Sequence, residues 1–372
     1  MEKKRIRIAM VATNLKLNGI SSIIANYISY LDMAKFEITL VVGQGVAPRF
    51  RNLCNERNVR IIEIAPRKEE PLKFYTQLFK VFIHENFDMV HVHGSNASIG
   101  AELFLAKLAG IKGRIAHSHN TTSTSMRIHK IMKPIFNISY TDGLACGELA
   151  GKWLFGKRPF TIIPNGVKIN NFRFSLDLRN SMRKKLNLNG KFVIGHIGRF
   201  NYQKNHGYIL KIFNEIYKIN KNAILLLIGK GPDYEKIKSE ISRSPFKSNV
   251  MLYGETNNPS SLYMAMDEFL FPSRFEGLPV TLVEAQMSGL PAVISDVITP
   301  EIKMSDKLKF MSLNASPKSW AQEVLSNKVD IKTREDFFKL NDSTISYYNI
   351  KKDVYSLEKE YNEIMERIKD GK

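Results

Sequence analysis

Two glutamates, Glu276 and Glu284, stand eight positions apart in a segment whose pattern is typical of a strand, a loop and a helix. The apolar run Glu268–Phe271 predicts the strand, Pro279 fits the first helical position, and Gly289 fits the C-terminal cap. Because carboxylates repel phosphate, we expect both glutamates to accept hydrogen bonds from the hydroxyls of a sugar and a ribose. The alternative is one acid that complements the helix dipole and one solvated surface glutamate.

The backbone at the start of the same predicted helix is suited to an anion or a hydroxyl. Gly277 and Leu278 lie next to the helix N-terminus, where backbone N–H groups have no intrahelical partner and the dipole is positive. Gly277 also lacks a side chain that would block close approach. We expect these two residues to contact a phosphate or a sugar hydroxyl.

Two further loops follow predicted strands. Arg199 and Lys204 come after the strand predicted at Phe192–Ile197, where they could clamp a diphosphate, although two surface cations alone are ordinary. A glycine-lined loop that contains Gly229 follows the strand predicted at Ala223–Ile228 and would let a nucleotide approach closely. It is not a Walker loop, because no Gly-Lys-Ser/Thr follows.

Short apolar runs alternate with helical periodicity along almost the whole chain, which predicts parallel sheets covered by helices on both faces. The strands predicted in the first half are Ile6–Ala12, Glu37–Val42, Val59–Ile64, Met89–His93, Arg114–His117, Gly143–Cys146 and Thr161–Ile163. Those predicted in the second half are Phe192–Ile197, Ala223–Ile228, Val250–Tyr253, Glu268–Phe271, Ala292–Ser295 and Phe310–Leu313. The polar and basic residues 165–190 between them predict a passage between two domains.

The predicted fold class is therefore α/β, with two Rossmann-like, doubly wound domains. We expect the first domain at residues 1–165 and the second at 166–349. A one-sided apolar pattern predicts a final helix at about 350–372, which we expect to pack back on the first domain. Ligands of doubly wound sheets bind beyond the carboxyl ends of the strands, so the site is expected in a central cleft between the two domains.

Four sequence features follow one another in a specific order. They are the segment Ile163–Val167, the pair Gly198-Arg199 followed by Lys204, the two glutamates with seven residues between them, and then Ala285, Gly289 and Pro291. Together they resemble the retaining GT-B glycosyltransferases of family four, and the resemblance covers nearly the whole chain.

The resemblance implies a role for each matched residue in the second domain. Arg199 and Lys204 bind the donor diphosphate and offset the charge of the leaving nucleotide. Glu284 accepts hydrogen bonds from the ribose, and Glu276 holds hydroxyls of the donor sugar and is a catalytic residue. The resemblance implies no metal and no other cofactor, and the chain also lacks an Asp-x-Asp motif. Cationic side chains and a helix terminus would replace a divalent ion.

In the first domain the resemblance implies a phosphate contact by the backbone of Gly19, after the first strand. It also implies a histidine near the donor sugar at the end of a mid-domain strand. His119 fits that position and is the second expected catalytic residue, whereas His117 fits better within the strand. His91 and His93 also end a strand. For each histidine the alternative is a structural group with satisfied hydrogen bonds.

The composition of the chain bears on the compartment in which the protein works and on the partners that it binds. The net charge is +19, with the larger excess of Lys and Arg in the first half, so the chain either meets an anionic partner or has a merely basic surface. Cys54 and Cys146 are the only cysteines, which argues against a disulfide framework and for a reducing compartment. The N-terminal run Ile6–Ala12 is too short for a signal peptide, and no run reaches the ~18 apolar residues of a membrane span. We expect a cytoplasmic protein.

One segment suggests a membrane surface. Residues 127–136 carry an apolar face and a basic face; the apolar residues are Ile128, Ile131, Met132, Ile135 and Phe136, and the basic ones are Arg127, Lys130 and Lys133. Such a helix either lies on anionic lipid or buries its apolar face in the core. The first alternative predicts a peripheral enzyme on the inner face of a bacterial membrane, with a lipid-linked saccharide acceptor.

The predicted function is thus a retaining, metal-independent glycosyltransferase of capsule, exopolysaccharide or O-antigen assembly. It would move a hexose or N-acetylhexosamine from a nucleotide diphosphate sugar, with UDP favoured by family frequency alone. A UDP-N-acetylglucosamine 2-epimerase of the same fold, a protein that binds anionic polymers, and a donor-binding protein without catalysis are the rival hypotheses. No nucleic-acid partner is expected, because the chain has no recognised RNA- or DNA-binding motif.

Overall fold

A computed structural model describes residues 5–16, 19–43, 45–123 and 125–371. Its chain forms two compact units. The first unit comprises the residues up to Gly166 together with those from Ile350 onwards, and the second unit is Val167–Asn349.

Each unit is built on a parallel sheet. The strands of the first sheet are β1 (Ile6–Ala12), β2 (Phe36–Val42), β3 (Arg60–Glu63), β4 (Met89–Gly94), β5 (Gly113–Ser118), β6 (Asp142–Ala145) and β7 (Thr161–Ile162). The strands of the second are β8 (Phe192–Ile197), β9 (Ala223–Ile228), β10 (Val250–Gly254), β11 (Glu268–Phe271), β12 (Ala292–Ser295) and β13 (Leu308–Met311). The strand orders are β3-β2-β1-β4-β5-β6-β7 and β10-β9-β8-β11-β12-β13. The order therefore reverses direction between β1 and β4 and between β8 and β11, as in doubly wound folds.

Helices lie between most successive strands and after the last strand. They are α1 (Gly19–Tyr30), α2 (Pro48–Glu56), α3 (Pro71–His84), α4 (Gly100–Leu108), α5 (Met126–Ser139), α6 (Glu148–Phe155), α7 (Ile169–Phe172), α8 (Leu176–Lys185), α9 (His206–Ile219), α10 (Tyr234–Ser242), α11 (Ser260–Ala265), α12 (Val280–Met287), α13 (Pro317–Ser326), α14 (Ile331–Leu340), α15 (Asp342–Tyr347) and α16 (Ile350–Lys369). The α/β fold class with two Rossmann-like units is confirmed.

The central strands are apolar because helices cover them on both sides. Ile194 of β8, Leu225 of β9 and Leu270 of β11 are buried in one core cluster, with Phe213 of α9 and Trp320 of α13 packed around them. Such burial on both faces explains why these strands are continuous apolar runs rather than alternating ones.

The last helix, α16, belongs to the first unit. Leu357 and Tyr361 on its inner face are fully buried, and the hydroxyl of Tyr361 is hydrogen-bonded to Nδ1 of His91 at 2.7 Å. At its N-terminal end, a carboxylate oxygen of Asp353 accepts a hydrogen bond from the backbone N–H of Gly166 at 2.6 Å. Asn26 of α1 donates to the carbonyl of Gly166 at 3.1 Å, so Gly166 is held from both sides.

Candidate active site

Three loops meet at the carboxyl edge of the second sheet. They follow β8, β9 and β11, which are neighbours in the strand order. The first two loops are joined by backbone hydrogen bonds of 3.0 Å, from Gly198 N–H to the Ile228 carbonyl and from Phe200 N–H to the Lys230 carbonyl. Loops in this position are where ligands of open α/β sheets bind.

Gly229 allows the first two loops to touch. Its φ is +131°, and a Cβ added there would lie 2.2 Å from the carbonyl oxygen of Gly198. A Cβ added to Gly231 would lie 2.3 Å from the carbonyl oxygen of Phe200. Any side chain at Gly229 would therefore displace the backbone of the loop that carries Arg199 and Lys204. The described contacts of Gly229 indicate a packing function, and its contact with a nucleotide stays a prediction.

The third loop is fastened to the first in the same way. The backbone N–H of Arg274 donates to the Gln203 carbonyl at 2.8 Å, and the side chain of Asn205 donates to the Pro272 carbonyl at 3.1 Å. The amide of Gln203 also donates to the carbonyl of Phe275 at 2.9 Å. The three loops thus form one connected set, which fixes the side chains that they carry.

Lys204 and Glu276 form a buried ion pair within this set. Nζ of Lys204 lies 2.7 Å from Oε1 of Glu276, and only 14% and 8% of the two side chains are exposed. Gln203 donates to the other carboxylate oxygen at 3.1 Å, and the ammonium lies 4.3 Å from the centre of the Phe271 ring. The sequence predicted separate roles for these two residues, a diphosphate ligand and a sugar ligand. Their pairing was not foreseen, because it depends on β8 and β11 being adjacent.

Glu284 lies on α12, and one carboxylate oxygen accepts a hydrogen bond from the hydroxyl of Tyr263 at 2.9 Å. Tyr263 of α11 is fully buried, and this burial raises the pKa of its hydroxyl well above 10, so it remains a donor. Sequence reasoning missed Tyr263, since nothing local distinguishes it from a core aromatic.

The N-terminus of α12 differs by one residue from the expectation. Pro279 is the residue that precedes the helix rather than its first position. Gly277 and Leu278 are buried just before it. At the other end Gly289 has a φ of +61°, which is the left-handed conformation expected of a residue just beyond a helix.

Arg199 is exposed, in contrast to Lys204. Among the described residues its guanidinium has no ion pair and no side-chain hydrogen bond. It is therefore a cation of this loop set that is available to an anionic ligand without first breaking a bond within the protein.

The predicted residues of the first unit lie at the carboxyl edge of the first sheet. Gly19 is the first residue of α1, and no described atom lies within 4 Å of a Cβ added to it. His119 follows β5 and is buried, and burial lowers the pKa of its imidazole to about 3. At neutral pH it is therefore an uncharged hydrogen-bonding group and not a cation. Its Nε2 is hydrogen-bonded to Nδ1 of His93 at 3.0 Å.

Helix α5, the predicted amphipathic segment, exposes part of its apolar face. Ile131 is 73% exposed, and Ile128 and Ile138 are at least half exposed, whereas Phe136 is buried in the core. The helix continues through Pro134, and Lys133 turns inward to donate to the carbonyl of Leu154. Among the described residues no helix is long and apolar enough to cross a membrane.

Comparisons with known proteins show what this chain is similar to. Residues 179–337, which contain the three loops, match the family described as glycosyl transferases group 1. The chain is 27% identical over 370 residues to the putative glycosyltransferase EpsF of Bacillus subtilis, covering 93% of this chain and 94% of the relative. It is 28% identical over 296 residues to the capsular polysaccharide biosynthesis glycosyltransferase CapH of Staphylococcus aureus, covering 75% and 78%.

A third relative is the Escherichia coli UDP-Gal:alpha-D-GlcNAc-diphosphoundecaprenol alpha-1,3-galactosyltransferase. It is 26% identical over 319 residues, covering 79% of this chain and 80% of the relative.

Solved structures share the fold. Anabaena HepE in complex with UDP and glucose superposes with a TM-score of 0.80 at 14% identity, covering 96% of this chain and 100% of HepE. WaaG, a glycosyltransferase involved in lipopolysaccharide biosynthesis, superposes with a TM-score of 0.72 at 14% identity, covering 96% and 99%. Residues 179–337 thus form a group 1 glycosyl transferase domain, the chain is a glycosyltransferase, and its fold is the GT-B fold that it shares with HepE and WaaG.

Proposed function

We propose that this glycosyltransferase is retaining and metal-independent, and that it moves a sugar from a UDP-sugar to a lipid-linked saccharide in bacterial surface polysaccharide assembly. The observation that carries the proposal is the loop set of the second unit. It combines Arg199, an exposed cation with no side-chain partner among the described residues, with an internally neutralised pair, Lys204 and Glu276.

The charge distribution explains how this set would bind a diphosphate. A lone carboxylate at Glu276 would repel the donor, but its charge is offset by Lys204 at 2.7 Å. Arg199 then supplies a guanidinium to the diphosphate, and the N-terminus of α12 adds a positive dipole end. No divalent ion is needed to neutralise the leaving group in this arrangement.

The remaining polar groups suit the neutral parts of the donor. Glu284, held by Tyr263, would accept hydrogen bonds from the two ribose hydroxyls. Glu276 would accept from hydroxyls of the sugar, because an ionised carboxylate is a hydrogen-bond acceptor only. Neutral His119 would exchange a hydrogen bond with a sugar hydroxyl.

In the proposed transfer step, an acceptor hydroxyl oxygen forms a bond to the anomeric carbon while the bond from that carbon to the β-phosphate oxygen breaks. The acceptor proton passes to the departing phosphate oxygen, and UDP leaves. Attack on the same face retains the anomeric configuration, and Arg199 stabilises the negative charge that develops on the diphosphate.

The donor and acceptor proposals draw on the comparisons. HepE was solved with UDP and glucose, and the name of the E. coli relative contains UDP-Gal and a diphosphoundecaprenol acceptor. For a lipid-linked acceptor the enzyme would work at the inner face of the membrane. The exposed isoleucines of α5 and the exposed Arg127 and Lys130 beside them would contact an anionic surface.

The donor proposal is tested by thermal shift with UDP, GDP, ADP and CMP on the wild type, Arg199→Ala and the matched control Arg243→Ala, an exposed arginine at the C-terminal end of α10. We expect UDP alone to stabilise the wild type and the control, and the shift to be lost in Arg199→Ala. Stabilisation by another nucleotide would refute UDP as the donor base, and no shift at all would refute the donor site.

The reaction is tested with UDP-sugars, and EDTA is added to check metal independence. Transfer to a polyprenyl-diphosphate saccharide with the donor's anomeric configuration, read by proton NMR, is expected. Isomerisation of the sugar without transfer would favour an epimerase instead.

The membrane proposal is tested by co-sedimentation with phosphatidylglycerol vesicles. The variant Arg127→Glu/Lys130→Glu is expected to lose binding, and the control Lys236→Glu/Lys238→Glu, on α10 of the second unit, is expected to keep it. Lys133 is left intact, because its ammonium is bonded to the carbonyl of Leu154. Equal binding by both variants would refute α5 as the contact surface.

A further inference from the structure

Four histidines form what we call the imidazole ladder, which comprises His91 and His93 of β4 and His117 and His119 at the end of β5. Because β4 and β5 are adjacent and His93 is in register with His117, alternate residues of both strands point to one face of the sheet. The rings of His91 and His93 stack with centroids 4.1 Å apart, and those of His117 and His119 stack at 4.2 Å. All four side chains are buried.

Hydrogen bonds divide the ladder into two separate chains. In the deeper chain, Tyr361 is bonded to Nδ1 of His91, and Nε2 of His91 is bonded to Nδ1 of His117 at 3.1 Å. In the outer chain, Nδ1 of His93 is bonded to Nε2 of His119 at 3.0 Å. Among the described residues, Nδ1 of His119 has no hydrogen-bond partner.

Every ring in the ladder is uncharged at neutral pH. Burial lowers the pKa of His91 and of His119 to about 3, and it lowers the pKa of His93 and His117 well below 6.5. A neutral imidazole has one N–H and one lone pair, so a bond at one nitrogen decides what the other nitrogen offers. Where Nε2 of His119 donates to His93, Nδ1 of His119 accepts, and where Nε2 accepts, Nδ1 donates.

The ladder does not have the geometry of a metal site, although ring nitrogens of His91, His93 and His117 lie within 4.8 Å of one another. A metal ion bonds to imidazole in the plane of the ring. The planes of His91 and His93 are stacked and only 25° apart, so their lone pairs run side by side and do not converge. Nε2 of His91 is also already bonded to His117.

We propose that His93 is a positioning residue for sugar transfer, which holds the ring of His119 in one place and one tautomer so that Nδ1 of His119 receives a donor sugar hydroxyl. This inference rests on the proposed function, in which His119 contacts the donor sugar. A buried polar atom without a protein partner is unfavourable until a ligand supplies the bond, which gives Nδ1 a reason to bind such a hydroxyl.

The chain contains a matched control for this role. His91 lies two residues before His93 on the same strand and face, is equally buried, and also bonds to a histidine of β5. It belongs to the deeper chain, however, and shares no hydrogen bond with His119. His91→Phe removes two buried bonds, to Tyr361 and His117, and His93→Phe removes one. Both variants keep a ring of similar volume, but only His93→Phe releases His119.

The test compares kcat and KM for the UDP-sugar that the wild type turns over fastest. His93→Phe is expected to lower kcat about tenfold, the loss expected for one misplaced catalytic contact, with the donor KM within about twofold. His91→Phe should keep kcat within about twofold of the wild type. His93→Asn, which retains a polar atom near the Nδ1 position, should recover most of the activity. His93→Phe should cost nothing further in a His119→Ala background, because the two residues act as one unit.

Nitrogen-15 NMR of the histidine rings in the ligand-free protein provides a readout that needs no activity. A single tautomer of His119 in the wild type that changes or becomes mixed in His93→Phe supports the proposal, whereas an unchanged His119 signal in His93→Phe overturns it. Equal kcat losses in His91→Phe and His93→Phe, or additive losses with His119→Ala, would also overturn it. If the wild type releases UDP from no UDP-sugar, the proposed function fails, and the NMR result alone decides the positioning role.

Discussion

The carboxyl edges of the two sheets are built from opposite chemistry. The loops of the second sheet carry an exposed arginine and a buried ion pair, Lys204 with Glu276. The edge of the first sheet carries the imidazole ladder, whose buried rings are all neutral. The same doubly wound scaffold therefore supplies charge at one edge and uncharged hydrogen-bonding groups at the other.

Under the proposed function, each edge suits a different part of the donor. A diphosphate leaving group gains negative charge and needs cations or dipoles, which the second unit provides. Sugar hydroxyls need only donors and acceptors with fixed directions, and neutral imidazoles supply these without adding charge. A positive group in place of the ladder would require the burial of an unpaired charge, which is strongly unfavourable.

The largest effect is expected from Gly229→Ala. The added Cβ would lie 2.2 Å from a backbone oxygen of Gly198, at a φ of +131° that other residues rarely adopt. We expect the free energy of unfolding to fall by about 2 to 4 kcal/mol and UDP binding to be lost. Gly19→Ala is the control from the first unit, since no described atom lies within 4 Å of its Cβ. Thermal denaturation with and without UDP measures the stability and the UDP binding of each variant. Equal destabilisation of Gly229→Ala and Gly19→Ala would contradict the prediction.

The next effect concerns the buried pair. Lys204→Met and Glu276→Gln each leave one charge without its partner, which costs about 3 kcal/mol in buried pairs. The double variant should be more stable than the sum of the single changes predicts, because no lone charge remains. Urea denaturation of the four proteins measures this coupling. If the losses of unfolding free energy in the two single variants simply added in the double variant, Lys204 and Glu276 would not neutralise each other.

A smaller effect concerns the stability contributed by Asp353, a buried carboxyl group of the first unit. Burial raises the pKa of Asp353 in α16 to about 8, so this group is protonated in the folded protein at pH 6 but ionised in the unfolded chain. The free energy of unfolding should therefore fall as the pH rises from about 4 to 8. Asp353→Asn removes this dependence: it should resemble the wild type at about pH 4, where the carboxyl is protonated in both states, and be more stable at pH 9. Melting temperatures at both pH values test this, and a variant less stable at pH 9 would contradict it.

The smallest expected effect is an absence of pH dependence. Because the pKa of His119 lies near 3, its protonation should not alter turnover between pH 5 and 8. The pH profile of kcat is measured for the wild type and for His119→Asn. A limb near pH 6.5 that is present in the wild type and absent in the variant would mean that His119 titrates normally, and the first unit's edge would then not be neutral.

Local patterns predicted much of the fold. β1, β8, β9, β11 and β12 have the predicted bounds, because strands buried on both faces are short apolar runs that end where the burial ends. At β13, a sheet edge, the prediction Phe310–Leu313 is displaced from the observed Leu308–Met311. There the pairing with β12 sets the bounds, and one-sided burial leaves a weaker signal.

The site was predictable as a set of residues but not as a set of contacts. The resemblance identified Arg199, Lys204, Glu276 and Glu284, and their ligand roles stay predictions. The pairing of Lys204 with Glu276 spans 72 positions and that of His91 with Tyr361 spans 270, so neither can be read without the strand order and the path of α16. The same holds for Lys133, expected on an exposed basic face but bonded to a carbonyl of α6.

The position of α16 also bears on how the protein is made. Leu357 and Tyr361, which complete the core of the first unit, are translated after the whole of the second unit. The second unit is continuous in sequence, so its chain is complete on the ribosome while the first unit still lacks a helix that covers buried apolar surface. Domains usually fold in the order of their synthesis. Here the first unit begins earlier but finishes last, which leaves its apolar surface to be protected from aggregation until the final turns of α16 emerge.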